Sequence, residues 1–133
     1  MYHPKRCTPV LIVENVEATR DFFHKRLGWP VVMEVPHGET IGFAQVELGP
    51  VEIMIQSRAS VAEDLNVPFE SVKLSNTSLY IEIDDVEQVV PVIADLHVVV
   101  PLRKTWYGMH EISVLEPGGN TIGFASKLPT PTA

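Results

Sequence analysis

The sequence predicts an α+β protein in which two tandem βαβββ modules form a curved mixed sheet around a cavity. Each half of the chain has the same order of patterns: an apolar strand, a capped helix, and three short strands separated by glycine and proline turns. The two halves also overlay at a nearly constant offset, which is a stronger signal than either half alone. The alternative is a chance likeness between short hairpins with acidic and glycine turns.

The overlay is clearest at the start of each helix and in the last hairpin of each half. Val13-Glu-Asn-Val-Glu17 matches Ile83-Asp-Asp-Val-Glu87, and residues 47–57 match residues 116–126 with shared Glu, Gly, Ile and Ser. A chain of 133 residues, 45% hydrophobic, is long enough for one core and too short for two independent ones. We therefore expect a single domain over residues 1–133, with module one over about 7–57, a linker over about 58–76 and module two over about 77–127.

The first module begins with the apolar strand Thr8–Val13. Asn15 is a good helix N-cap, Glu17 suits the positive end of a helix, and Gly28 supplies a stop, so a helix is predicted over Val16–Leu27. The remaining strands of this module are predicted between turn residues, over Val31–Val35, Ile41–Leu48 and Val51–Gln56.

The second module repeats this order from the strand Ser78–Ile83. Asp85 and Gln88 form a capping-box pattern, which predicts a helix that continues through Leu96. Pro91 lies inside that segment and removes a backbone donor, so we expect a kink or a later helix start. The last three strands are predicted over Val98–Leu102, Met109–Leu115 and Thr121–Ser126.

Charge and cysteine content limit the partners and the compartment. The chain has 10 Lys and Arg against 17 Asp and Glu, a formal charge of -7, and no basic cluster, so we expect no nucleic-acid partner. No apolar run approaches the roughly 20 residues of a membrane span, so we expect no membrane partner. A single cysteine, Cys7, excludes an internal disulfide and favours a reducing, cytoplasmic location.

Strand alternation assigns one face of the sheet to the helices and leaves an open face for a ligand. In the strand Ser78–Ile83, the apolar residues Leu79 and Ile81 belong to the helix face. The open face is predicted to carry Ser78, Tyr80, Glu82, Thr121, Gly123 and Ala125 in module two, and Thr8, Val10, Ile12, Glu52, Met54 and Gln56 in module one.

Three features together resemble a known family. They are the paired modules, the helix segment that ends in Leu27-Gly28-Trp29, and the tail Trp106–Phe124 with its turn Glu116-Pro-Gly-Gly-Asn120. Over nearly the whole chain they resemble the vicinal oxygen chelate superfamily of glyoxalases, bleomycin-resistance proteins and dioxygenases, and in particular its bleomycin-resistance-like members. Such a resemblance indicates the fold rather than the reaction. It also implies a homodimer.

The resemblance further implies where a metal would bind. Enzymes of this superfamily place His, Gln or Glu ligands on the first and last strands of each module. The matching positions in this sequence are Thr8, Met54, Ser78 and Gly123. Hydroxyls are weak ligands for the usual divalent ions, methionine favours soft ions, and glycine has no side chain. We therefore expect no metal and no other cofactor.

Three carboxylates are candidates for a site on the open face: Glu52, Glu82 and Glu111. Carboxylates there bind a cationic ligand, act as a general base, or contribute to an unorthodox metal site. The alternative is that they are solvated residues at strand edges, and the assignment of Glu111 depends on the phase of its strand. His110 is the one histidine beside this strand that merits a test, with a structural role as the favoured interpretation.

Aromatic residues offer a second set of candidates. The penultimate strand begins at Met109 and is preceded by Trp106 and Tyr107. Flat aromatic rings at this position could stack on a planar ligand at the mouth of a cavity. The alternative is that they plug the core or form dimer contacts. Tyr80 and Phe43 have the same two interpretations.

These features favour a metal-independent protein that sequesters a small molecule, with a cationic aromatic compound as one suitable class. The first alternative is a metal-dependent lyase, epimerase or dioxygenase of the same superfamily with unusual ligands. The second is a structural or regulatory domain without a ligand cavity. The sequence identifies no catalytic residue. The predicted ligand-binding set is Phe43, Glu52, Met54, Tyr80, Glu82, Trp106, Tyr107, Met109 and Glu111.

Overall fold

The computed structural model describes residues 1–130 and contains two compact units, one that ends at Ser75 and one that begins at Asn76. Each unit has a four-stranded mixed sheet. None of the helices within residues 1–130 is long and apolar enough to cross a membrane. The expectation that the units form a single domain stays a prediction.

The first unit contains one sheet, two α-helices and two short helical turns. Its strand order is β1-β4-β3-β2, with β1 parallel to β4 and the other neighbours antiparallel. The elements are β1 (Val10–Val13), α1 (Val16–Asp21), a π-helical turn (Phe22–Arg26), β2 (Val31–His37), β3 (Thr40–Leu48), β4 (Val51–Ser57), α2 (Arg58–Leu65) and a 3₁₀ turn (Phe69–Ser71).

The second unit repeats this topology. Its strand order is β5-β8-β7-β6, with β5 parallel to β8 and the other neighbours antiparallel. The elements are β5 (Ser78–Glu82), a 3₁₀ turn (Val86–Gln88), α3 (Val90–Ile93), β6 (Val98–Lys104), β7 (Met109–Leu115) and β8 (Thr121–Lys127). The identical order and polarity of the two sheets confirm an α+β fold of two tandem βαβββ modules.

The first helix forms for the reasons expected from the sequence. The Asn15 side chain accepts a hydrogen bond from the Ala18 amide at 3.0 Å, which satisfies one of the free donors of the first turn. The helix then widens into the π-helical turn, and Gly28 follows with a φ of 81°, a conformation that favours glycine. Phe22 and Phe23 are buried there, with ring centroids 5.0 Å apart. The predicted extent, Val16–Leu27, is therefore close to the observed one.

The helix of the second module is shorter than predicted. Asp85 accepts from the Glu87 amide at 3.0 Å and starts a 3₁₀ turn, and α3 begins only at Val90. Pro91 lies in the first turn of α3, where its missing donor costs little, so the expected later start is confirmed. The prediction of a helix through Leu96 is wrong, because α3 ends at Ile93.

The segment predicted as a linker contains a helix that the sequence did not reveal. Ser57 caps α2 by accepting from the Ser60 amide at 3.0 Å, and Asn66 ends it in the left-handed conformation with a φ of 52°. The Arg58 guanidinium lies 4.1 Å from the centre of the Phe69 ring, a cation–π contact that joins α2 to the following turn. Because α2 buries only Ala62, no apolar periodicity indicated it.

Each sheet has one strongly apolar face, and α1 packs on β3 and β4 at that face in the first unit. In the second unit the 3₁₀ turn Val86–Gln88 packs on β7 and β8. The buried strand residues of these faces are Leu11, Val13, Ala44, Val46, Ile53 and Ile55 in the first unit, and Ile81, Ile112, Val114, Ile122 and Phe124 in the second.

Candidate functional site

The opposite side of each sheet is the open face predicted from alternation. In the second unit, the registers place Tyr80, Gly123 and Ser113 in one row across β5, β8 and β7. The next row contains Glu82, Ala125, Glu111 and Arg103, so the phase of β7 puts the Glu111 side chain on the open face.

Glu111 is the centre of a hydrogen-bonded cluster on this face. It is 6% exposed, and its Oε1 accepts from the Tyr107 hydroxyl at 2.7 Å and from the Tyr80 hydroxyl at 3.0 Å. Its Oε2 accepts from Arg103, at 3.1 Å from Nη2 and 3.4 Å from Nε. We call these four residues the Glu111 cluster. Because Arg103 supplies a positive charge and both oxygens are hydrogen-bonded, the buried carboxylate is compensated.

The cluster shifts the acidity of its members in opposite directions. Burial alone would raise the pKa of Glu111, but hydrogen bonds from Tyr107, Arg103 and Tyr80 outweigh burial and hold that pKa below its usual range. Burial, followed by the hydrogen bond to the Glu111 carboxylate, raises the pKa of Tyr80 to about 12. The hydrogen bond to Glu111 is also the main cause that raises the pKa of Tyr107. The cluster therefore combines an ionised carboxylate with two protonated phenols.

Gly123 provides the space for this cluster. A Cβ atom at this position would lie 2.9 Å from the Ser113 Oγ, 3.3 Å from the Leu79 carbonyl oxygen and 3.6 Å from Cδ1 of Tyr80. The Tyr80 side chain therefore passes beside Gly123 on β8 and reaches Glu111 on β7. A larger residue at position 123 would compete with the side chains that now occupy this space.

A pocket of about 490 Å³ adjoins the cluster in the second unit. Tyr107 belongs to both, since it lines the pocket and its hydroxyl donates to Glu111. Trp106 is 94% exposed and meets Tyr107 edge to face, with centroids 5.3 Å apart at 88°. The lining residues are Trp106, Tyr107, Gly108, Met109, Lys127, Leu128, Pro129 and Thr130.

The open face of the first unit has its own hydrogen-bonded carboxylate, Glu52. It accepts from the Thr8 hydroxyl and from Arg6 Nη1, the latter at 3.0 Å. The Thr8 hydrogen bond is the largest cause of a lowered pKa at Glu52, and Arg6 adds to it. Gln45 lies 3.5 Å away through its side-chain amide. Glu52 is thus also paired with an arginine.

The predicted ligand-binding residues fall into three groups. Tyr80 and Tyr107 both donate to Glu111, and Tyr107 also lines the pocket with Trp106 and Met109. Glu82 lies in the row of Glu111 and is exposed, without a hydrogen bond to the cluster. Three others, half-buried on the first unit's open face, are Phe43, Glu52 and Met54.

The structure places His110 on the helix side of β7, in the phase of Ile112 and Val114. It therefore does not share the open face with Glu111. The alternation of the strand decides this, because neighbouring residues point to opposite sides.

Sequence reasoning missed Arg103 and Lys127. Arg103 is the register partner of Glu111, and Lys127 is the register partner of Met109, both across antiparallel pairs. The signal that would have found Arg103 is its charge pairing with Glu111 across the two strands. Recognising this pair requires the register of β6 against β7. That register is irregular between Val98 and Arg103, so it does not follow from the sequence.

The residues at the family's metal positions do not fit a divalent metal. The Thr8 hydroxyl donates to Glu52, and Gly123 has no side chain and no free space for one. Within residues 1–130 no group of three His, Cys, Asp or Glu side chains is arranged to hold a metal ion. No step of a reaction is therefore assigned to a metal here.

A smaller pocket of about 210 Å³ lies in the first unit, and the sequence did not indicate it. Its polar lining is engaged in the fold: Asn15 caps α1, Glu17 accepts from the Ile41 amide at 2.9 Å, and His37 pairs with Glu63. We assign it no ligand.

The fold and the paired modules define a class of small tandem βαβββ proteins. The model of the Glyoxalase/Bleomycin resistance protein/Dioxygenase superfamily matches residues 5–124, and the chain belongs to that superfamily. No curated protein matches the chain.

Solved structures show the same fold at low sequence identity. A glyoxalase/bleomycin resistance protein/dioxygenase from Nocardioides is 17% identical with a TM-score of 0.72, over 100% of this chain and 92% of that one. TioX from Micromonospora sp. ML1 is 16% identical with a TM-score of 0.74, over 94% and 100%. A lactoylglutathione lyase from Agrobacterium tumefaciens is 14% identical with a TM-score of 0.73, over 93% and 95%. At these identities the likeness concerns the fold alone.

Proposed function

We propose that the protein binds a small planar aromatic compound, without a metal, in the pocket beside Trp106. The observation that carries the proposal is an almost fully exposed Trp106 at the edge of a pocket of about 490 Å³. Ligand pockets typically have volumes of roughly 300–1,000 Å³ and apolar, aromatic linings. A flat ring stacked on Trp106 would remove its indole surface from water, which is favourable.

The Glu111 cluster supports this proposal because it holds one wall of the pocket in place. The Tyr107 hydroxyl donates to Glu111 at 2.7 Å, and Arg103 Nη2 donates to the same hydroxyl at 3.4 Å. A ring that is fixed before binding loses less rotational freedom when the ligand arrives. The cluster thus acts on the ligand through Tyr107 rather than by direct contact with a cation.

A cationic ligand, one class suggested by the acidic residues, receives less support than an aromatic one. Glu111 and Glu52 each hold an arginine already, Arg103 and Arg6 respectively. A cationic ligand would have to displace these partners, at the cost of leaving an arginine without its carboxylate. The aromatic part of the prediction is therefore retained and the cationic part is not.

A calorimetric titration with naphthamide, a neutral bicyclic probe, tests the proposal. We expect saturable binding to the wild-type chain and an affinity at least about tenfold weaker in Trp106→Ala, since loss of a stacking aromatic at a binding centre costs roughly 2 kcal/mol or more. Tyr2→Ala is the matched control, because Tyr2 is 85% exposed and lies outside the pocket. Its affinity should equal that of the wild type.

Two results would contradict the proposal. One is the absence of saturable naphthamide binding by the wild-type chain. The other is unchanged affinity in Trp106→Ala together with a shift of its mass in solution, measured by light scattering, which would make Trp106 a subunit contact.

The proposal also includes a homodimer in the cytoplasm, and the same light-scattering measurement on the wild-type chain tests the dimer.

A further inference from the structure

The charge distribution at the pocket narrows the class of ligand. Lys127 is the one charged side chain that lines the pocket within residues 1–130. Its neighbours in that lining are aromatic, aliphatic or uncharged, including Trp106, Met109 and Thr130. A positive charge beside an apolar aromatic wall favours a ligand that combines a flat ring with a negative group.

Strand pairing places Lys127 where its ammonium group can meet a negative group of a ligand. It ends β8 and is the register partner of Met109, the first residue of β7, so both side chains lie on the open face. Lys127 is exposed, and no ion pair or side-chain hydrogen bond formed within the described part of the chain engages its ammonium group. Its charge is therefore available to a ligand.

The carboxylate on the same face does not compete with an anionic ligand for Lys127. Glu111 is buried, and Arg103 Nη2 lies 3.1 Å from its Oε2. Two tyrosine hydroxyls occupy its Oε1, so its charge is spread over three donors. Glu111 is therefore one half of a compensated pair, whereas Lys127 has no acidic partner among residues 1–130.

The formal charge of -7 works against an anionic ligand, but only at long range. At 0.15 M salt the screening length is about 8 Å, so distant carboxylates contribute little at the pocket. A direct contact with one ammonium group then decides the preference. Lys127 is thus the residue that sets the sign of the ligand charge.

We infer that the ligand of this pocket is an aromatic carboxylate whose ring stacks at Trp106 and whose carboxylate pairs with Lys127. This inference rests on the proposed function, because it names the class of compound that the same pocket takes. No bond is made or broken; the ligand is held.

A matched pair of probes tests the inference: naphthoate and naphthamide, which share a ring and differ in charge. We expect the wild-type chain to bind naphthoate roughly two- to fivefold more tightly, the ratio that corresponds to an exposed ion pair. In Lys127→Gln the preference should disappear, because naphthoate binding should weaken more than naphthamide binding. Lys127→Arg should retain the preference, and raising the salt concentration should reduce it.

Lys104→Gln is the control for a general loss of positive charge. Lys104 is exposed in the same unit, pairs in register with His110, and therefore lies on the helix side of its strand. It should leave both affinities unchanged. Equal binding of the two probes by the wild-type chain, or an equal loss of both in Lys127→Gln, overturns the inference while the proposed function stands. If neither probe binds, the proposed function itself fails.

Discussion

At the scale of single residues, Glu111 is a buried charge that its neighbours compensate, and in the proposed function it does not meet the ligand. Its carboxylate is almost fully enclosed, which alone would be costly, yet Arg103, Tyr80 and Tyr107 each donate to it. Those donors come from strands β5 and β6 and from the turn before β7, so one carboxylate connects three parts of the unit. In the proposed function, its contribution to the pocket is to hold Tyr107 through the hydroxyl that donates to it.

The lowered pKa of Glu111 predicts a specific dependence of stability on pH. A carboxyl group with a depressed folded-state pKa stabilises the fold fully above its unfolded pKa of about 4.3, and this contribution is lost as pH falls through the folded-state value. Glu111→Gln removes the titrating group. Urea unfolding measured from about pH 7 down to about pH 3 should therefore show a smaller loss of stability in this variant than in the wild type.

Glu82→Gln is the control for this measurement, since Glu82 shares the row of Glu111 on the open face but is exposed. It should retain the acid sensitivity of the wild type. Identical pH profiles for Glu111→Gln and the wild type would show that the Glu111 cluster does not stabilise the ionised carboxylate.

At the scale of elements, the repeat uses one position for two different purposes. Ser57 at the end of β4 accepts from the Ser60 amide and starts α2. Its counterpart Ser126 in β8 instead accepts from the Val86 amide at 3.0 Å, which anchors the 3₁₀ turn of the second module. Both hydroxyls satisfy a backbone donor at the beginning of a helical element. Both modules therefore have a serine at this position, but it serves a different helical element in each.

Replacing the Ser57 hydroxyl should destabilise the first unit. Ser57→Ala removes the N-cap of α2, and we expect a loss of about 0.5–2 kcal/mol in the free energy of unfolding, measured by urea titration. Ser78→Ala is the control, because Ser78 is exposed in β5 and begins no helix; its change should stay within about 0.5 kcal/mol. Equal effects of the two substitutions would mean that the cap contributes nothing to the stability.

At the scale of the whole molecule, the superfamily fold is present, and two residues that the resemblance places at metal-ligand positions are engaged with their neighbours. Thr8 is engaged with Glu52, and the space at Gly123 is occupied by Ser113 and Tyr80. Both positions are thus integrated into local hydrogen bonding and packing. A fold of this kind supports either chemistry or simple binding, and the side chains on its open faces decide which.

The protein should therefore retain little metal. After incubation with nickel, zinc, manganese and iron followed by desalting, elemental analysis should find far less than one ion per chain, because no described site supplies about three good ligands. A chelator should leave naphthamide affinity unchanged. One tightly held ion per chain, lost together with naphthamide binding on chelation, would instead indicate a metal-dependent activity.

Local signals in the sequence were sufficient to predict several of the elements. The alternation and flanking turns predicted the strands Met109–Leu115 and Val51–Gln56, observed as Met109–Leu115 and Val51–Ser57. Asn15 predicted the start of α1 because a cap acts within one turn. Helix α2 was missed, since its stability depends on Ser57 and on the stacking of Arg58 against Phe69 rather than on an apolar stripe.

The candidate site also contains residues that the sequence identified and partners that it did not. Trp106, Tyr107 and Glu111 were recognisable from residue type and position in the chain, but the phase of Glu111 and its partners were not. The pairing of strands in the folded chain brings Arg103 and Tyr80 to Glu111 and places Lys127 at the pocket. Alternation is a property of one strand, whereas register is set between strands, where residues distant in sequence become neighbours.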